Sequence, residues 1–162
     1  TPSVRRVAPE MASPRAKTHN YLNFVMGDLE VQSQNPDALS VLLDKNGNLA
    51  EGKGSNIFVI KNQKLITPKE KYVLPGVSRE VTMNLGRELG YEIEEDDIDL
   101  FDAYNADELF ITSTSFCICP VQSINGRRPS ANGVPGPITS KLINAYVDLV
   151  GFDWYGQYLS KI

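Results

Sequence analysis

The chain has 162 residues, 41% hydrophobic and 22% charged, which is an ordinary soluble globular composition with room for one domain and a packed core. Its formal net charge of −4 argues against nucleic-acid binding, which needs a basic face to replace counterions. No apolar run approaches the roughly 18 residues of a membrane span, and no secretory signal opens the chain.

Residues 1–15 contain Pro2, Pro9 and Pro14 with Arg5, Arg6 and Arg15, and are expected to be an extended or irregular linker entering a domain at residue 16. From Lys17 to Gln34 the pattern is helical, with Tyr21, Phe24, Val25, Leu29 and Val31 near one stripe, and Asn35-Pro36-Asp37 ends it. A short strand, Leu39 to Leu43, leads into Asp44-Lys45-Asn46-Gly47-Asn48, where Asn-Gly signals a hairpin. Leu49-Ala50-Glu51-Gly52-Lys53-Gly54 reads as a glycine-broken turn opening into an alternating strand through Ile60. A second hairpin follows over Asn56–Ile60 and Lys64–Thr67.

Leu74-Pro75-Gly76 is a turn before the strongest helical pattern, Ser78 to Leu89. There Val77, Val81, Leu85 and Leu89 are expected to face the core and Gly90 to close the C-terminus. Tyr91-Glu92-Ile93 suggests a strand, and the acidic run Glu94, Glu95, Asp96, Asp97, Asp99 a solvated connection. A short helix over Asp102–Asp107, a buried strand Leu109–Ile111 and a strand Cys117–Ile124 come next. A Gly/Pro loop then introduces a helix over Ile138–Val150, and a last amphipathic segment carries Trp154, Tyr155 and Tyr158. Hairpins mixed with separate helices define an α+β (mixed α/β) domain. Cys117 and Cys119, two apart in a strand, are expected to be buried free thiols in a reducing compartment, and no metal site is expected.

Four places could carry chemistry. Glu51 sits among glycines where backbone can approach a flat ligand, or is a solvated hairpin charge. Gly76-Val77-Ser78 heads a helix whose unpaired N–H groups and dipole favour a phosphate, or Ser78 caps its own helix. Thr112-Ser113-Thr114-Ser115 offers hydroxyl and N–H donors to an anion, or is a polar turn. Lys17 is a candidate nucleophile, since a lysine amine forms a Schiff base with a carbonyl, or is surface decoration. The P-loop motif is absent.

In order along the chain stand Lys17 with Asn20-Tyr21, Glu51-Gly52-Lys53-Gly54-Ser55-Asn56-Ile57-Phe58, Leu74-Pro75-Gly76-Val77-Ser78-Arg79, Ala106-Asp107-Glu108-Leu109-Phe110, Ser113-Thr114 and Gly136-Pro137-Ile138-Thr139. This series resembles the class IV (fold type IV) pyridoxal-phosphate aminotransferases, branched-chain amino-acid aminotransferases above all, over residues 10 to 155. The resemblance implies the D-amino-acid aminotransferase-like fold, pyridoxal 5'-phosphate as cofactor, amino-acid and 2-oxo-acid substrates, a homodimer and a cytoplasmic setting. It implies Lys17 as the Schiff-base lysine and proton carrier, and Glu51 as the partner of the pyridine nitrogen. Tyr21 would then contact the phenolic oxygen, while Gly76, Val77, Ser78, Ser113 and Thr114 bind the phosphate and Thr114 and Ser115 face the substrate carboxylate.

Three departures stand out. Thr18-His19 replaces the usual double glycine with one residue fewer, and Ser113 replaces a glycine. Only sixteen residues precede Lys17, so the chain is expected to hold the larger, cofactor-bearing C-terminal domain (16–162) without its smaller N-terminal partner. On that expectation it binds cofactor weakly or not at all by itself. His19 is expected to be a packing residue. The same-fold alternatives are an aminodeoxychorismate lyase-type enzyme and a D-amino-acid or (R)-amine transaminase; a cofactor-free interaction domain is the non-enzyme alternative.

Overall fold

The computed structural model describes residues 1–161. Its centre is a seven-stranded sheet: β1 (Val41–Leu43), β2 (Leu49–Gly52), β3 (Ser55–Lys61), β4 (Lys64–Pro68) and β5 (Glu92–Asp96) lie in that order, and β6 (Glu108–Ser113) and β7 (Cys117–Pro120) extend it from β3. All pairs are antiparallel except β4 with β5, which are joined by the crossover helix α2 (Val77–Glu88). Helix α1 (Leu22–Gln32) precedes the sheet; α3 (Leu100–Tyr104), α4 (Pro137–Val150) and α5 (Trp154–Leu159) follow in chain order.

β3 is covered on both faces, which is why its sequence reads as a nearly continuous apolar run rather than a clean alternation. Phe58 and Ile60 point with Phe110 and Ile118 toward α2, α4 and Trp154. Ile57 and Val59 point with Leu109 and Ile111 into a second core closed by Ile98, Ala103 and Ala106. Phe58 and Phe110 sit opposite each other in the ladder and stack with ring centroids 4.8 Å apart. Each fully buried side chain of this size contributes about 1.5–3 kcal/mol by leaving water.

Several expectations are corrected. The first helix starts at Leu22, not Lys17, because His19 adopts a left-handed backbone (φ 59) that interrupts any helix there. Its buried residues are Phe24 and Gly27, while Leu29 is exposed. In α2 the expected stripe is rotated: Val77 and Leu89 are exposed, and the buried face is Ser78, Arg79, Thr82, Met83, Leu85 and Gly86. Small residues there let the helix approach the sheet closely. A β-carbon at Gly86 would lie 2.7 Å from Ile93 Cδ1.

Only part of the acidic run is a connection: Asp97 and Asp99 lie between β5 and α3, while Glu94, Glu95 and Asp96 belong to the strand. Glu92 to Asp96 form the edge strand β5, where Lys64 pairs with Glu92 and Glu94, Lys69 with Asp96, and Arg79 with Glu95. The short helix lies at Leu100–Tyr104, earlier than expected, because Asp99 and Asp102 form a reciprocal capping box at its start. β7 stops at Pro120, which lacks a ladder donor. Cys117 and Cys119 are free, as expected, but half-buried rather than buried.

Residues 1–7 lie along the domain. Arg5 bridges Leu43 in parallel, and the Arg6 N–H donates to the Leu43 carbonyl at 2.8 Å.

Candidate active site

One cavity of about 290 Å³ gathers Lys17, Tyr21, Glu51, Gly76, Val77, Ser78, Ser113 and Thr114. They come from five separate places in the chain: the irregular segment before α1, β2, the turn into α2, α2 itself, and the end of β6 with its following turn. Ser115, also singled out in the sequence, is not among the lining residues. Its hydroxyl lies 3.0 Å from that of Ser113, and its carbonyl accepts from the Tyr158 hydroxyl of α5.

Lys17 is exposed in the irregular segment, so its amine can reach the cavity without leaving a packed core. Tyr21 is half-buried at the entry to α1, with the His19 ring stacked on it at 5.9 Å. His19 itself lines the cavity.

Glu51 is not on an exposed hairpin. It lies within β2, paired with Asn56 of β3, and is only 4% exposed; the tight turn Lys53-Gly54 follows it. One carboxylate oxygen accepts from Arg6 Nε at 2.8 Å and the other from the Leu74 N–H at 2.9 Å. Burial pushes its pKa above the ordinary carboxylate range, and the Leu74 N–H, Arg6 and Lys17 pull it back.

Another part of the lining is the start of α2. Gly76 is the residue before α2, and no side chain caps that helix, so the free N–H groups of its first turn face the cavity region. Ser78 does not cap its own helix. Its hydroxyl donates to the Ser113 carbonyl at 3.0 Å, tying the helix start to the end of β6. The strand runs on through Thr112 and Ser113, so only Thr114 and Ser115 belong to the turn. Thr112 lines the cavity while its buried hydroxyl has no hydrogen-bond partner.

Two further residues of the ordered series, Asp107 and Glu108, are structural. Glu108 of β6 is buried and accepts from the N–H groups of Ile138 (2.9 Å) and Thr139 (2.8 Å), so it caps α4 from the sheet. Asp107 accepts from the Asn62 N–H, Ser130 and Lys61, locking three loops together. Sequence reasoning missed Arg6 and Phe24. Arg6 stands in a proline-rich opening that carries no periodicity, and nothing local marks it as a partner of Glu51.

An exposed amine, a buried carboxylate and an uncapped helix start thus line one cavity. The chain belongs to the class IV aminotransferases: the model of that family, Amino-transferase class IV, matches residues 1–124. Among curated relatives, the branched-chain-amino-acid aminotransferase of Pseudomonas aeruginosa is 36% identical over 151 residues, covering 93% of this chain and 48% of that protein. The Escherichia coli K12 enzyme of the same name is 34% identical over 149 residues, covering 91% of this chain and 48% of that protein.

Two solved structures are similar throughout. The branched-chain amino acid aminotransferase of Thermobaculum terrenum in its PLP (holo) form superposes with a TM-score of 0.84 at 33% identity, over 95% of this chain and 51% of that one. The Thermoproteus uzoniensis enzyme with norvaline gives a TM-score of 0.83 at 34% identity, over 92% and 50%. The fold is thus that of the fold type IV aminotransferases. The chain spans about half the length of the relatives it matches.

Proposed function

We propose that this chain is the cofactor-bearing portion, residues 16–162 behind a linker of residues 1–15, of a pyridoxal-phosphate aminotransferase. It would move an amino group from an amino acid of the branched-chain class to a 2-oxo acid. The observation that carries this reading is the placement of Lys17, Glu51 and the uncapped start of α2 around a single cavity. Pyridoxal 5'-phosphate fits these groups: a carbonyl for an amine, a ring nitrogen for a carboxylate, and a phosphate for free N–H donors. The unpartnered Thr112 hydroxyl in the same lining is a further polar group for it. When bound, this cofactor supplies the electron sink that lets the Cα–H bond of an amino acid ionise.

Each residue then has a defined task. Lys17 Nζ would attach the cofactor and afterwards carry the proton between the substrate Cα and the cofactor C4′. Glu51 would hold the proton on the ring nitrogen. Tyr21 would donate to the phenolic oxygen. The N–H groups of Val77 and Ser78, with the dipole of α2, would hold the phosphate together with Ser113 and Thr114. Thr114 and Ser115 would face the substrate carboxylate. A cytoplasmic homodimer is part of the same reading. So is a further portion of chain that completes the substrate pocket, because the relatives are about twice as long. Among the described residues no helix is long and apolar enough to cross a membrane.

Borohydride trapping tests the assignment. Reduction at limiting pyridoxal phosphate in a chain extended to the length of the relatives, followed by peptide mapping, is expected to label Lys17 ahead of every other lysine, a preference that Lys17→Ala loses. Preferential labelling of a different lysine overturns it.

A further inference from the structure

Arg6 reaches the cavity from outside the elements that build it, and its surroundings hold it there. The Asn23 side chain, on α1, clamps the chain on both sides of it: Nδ2 donates to the Arg5 carbonyl at 2.8 Å, and Oδ1 accepts from the Val7 N–H at 3.2 Å. Between them the Arg6 N–H is fixed on the Leu43 carbonyl. The guanidinium carbon lies 4.9 Å from the centre of the Phe24 ring, a cation–π arrangement that suits the planar guanidinium. Nε then meets Glu51 Oε1 at 2.8 Å, with the two side chains 14% and 5% exposed.

We propose that Arg6 is a positioning residue for Glu51, fixing the carboxylate's direction and keeping it ionised inside the cavity. This rests on the proposed function only for what Glu51 faces; the pair itself belongs to the chain alone. A carboxylate buried without a cation takes up a proton, and a neutral acid cannot balance a protonated ring nitrogen. Two charged groups act on Glu51, Arg6 and Lys17. Lys17 is exposed and therefore screened by solvent, whereas Arg6 is enclosed with its partner. Lysine at position 6 would supply charge but neither the fixed Nε–H direction nor the stack on Phe24. The segment before Lys17 is thus part of the site's electrostatics.

The test uses the full 162-residue chain with Arg6→Gln and with Asn23→Ala, which removes the clamp and leaves both charges in place. The first readout needs no cofactor: the Glu51 carboxyl is titrated by carbon NMR, its signal assigned by its loss in Glu51→Gln. Its midpoint is expected to rise in Arg6→Gln and to move the same way, by less, in Asn23→Ala. The second readout is titration with pyridoxal phosphate at neutral pH, where Arg6→Gln is expected to bind roughly tenfold more weakly, the size of one charge-assisted contact. An unmoved Glu51 midpoint overturns the inference, and Asn23→Ala decides it alone if Arg6→Gln does not fold. A midpoint that moves supports the pair whether or not this chain takes up pyridoxal phosphate; failure of uptake by a chain extended to the length of the relatives overturns the cofactor assignment instead.

Discussion

Asn56 and Gly76 meet so closely that a β-carbon on the glycine would lie 2.3 Å from Asn56 Oδ1. The same amide donates from Nδ2 to the Leu74 carbonyl at 2.9 Å, so the central strand of the sheet holds the turn that opens α2. Gly76 has φ −71, which alanine adopts freely, so its requirement is for space and not for an unusual backbone.

Gly76→Ala is therefore expected to destabilise the domain by about 1–3 kcal/mol through overpacking, and to weaken anion capture at the helix start. Thermal melting and cofactor titration measure the two effects. Shortening the opposing side chain with Asn56→Ser in the same protein should recover part of the loss. A Gly76→Ala melt identical to wild type would mean the contact has slack.

Glu51→Gln keeps the shape of the side chain and removes its charge. Turnover of the full-length enzyme is expected to fall more than cofactor affinity, because the phosphate and lysine contacts remain. The variant also leaves Arg6 enclosed without a counter-charge, a loss of up to about 3 kcal/mol. Steady-state kinetics beside chemical unfolding separate the two consequences. Unchanged turnover would remove Glu51 from the chemistry.

Glu108→Ala deprives α4 of the acceptor for its first free N–H groups. The expected cost is about 1–2 kcal/mol, the range measured for lost helix caps. Amide exchange at Ile138 and Thr139 should accelerate while amides of β3 hold. Equal exchange in both proteins would show that water replaces the carboxylate at no cost.

Asp107 sets an acid limit. Burial opposes its ionisation, yet the Asn62 N–H, the Ser130 hydroxyl and the Lys61 ammonium together hold its pKa below the usual carboxylate range. A depressed native pKa means the unfolded chain binds the proton more tightly. The stability it contributes is present above the ordinary carboxylate range and lost as pH falls through the native value. Urea unfolding across that range should show a shallower decline in Asp107→Asn than in wild type. Parallel curves would assign the acid limb to other carboxylates.

Lys17, Glu51, Gly76-Val77-Ser78 and Ser113-Thr114 could be picked out of the sequence because each proposed role needs its own side chain or backbone type. The structure brings them to one cavity. What stayed hidden is what local pattern cannot encode. The true face of α2 includes a serine, an arginine, a threonine and a glycine, whose burial depends on partners distant in sequence: Pro68 and Glu95 for Arg79, Ser113 for Ser78. Glu94, Glu95 and Asp96 of β5 read as a connection because charge usually marks a solvated loop. Here the parallel pairing with β4 supplies the backbone partners that the side chains give no hint of. Arg6 was invisible for the same reason: its partner is 45 positions away.

The acidic strand β5 has a bearing on how copies of this domain can meet. As the last strand of the row it offers an open line of backbone donors and acceptors, the usual template for sheet-to-sheet fusion. Glu92, Glu94, Glu95 and Asp96 fill that line with ion pairs to Lys64, Lys69 and Arg79 of the same domain, and seating an identical strand there would strip water from them. Growth into fibres along this border is discouraged by the cost of desolvating paired charge.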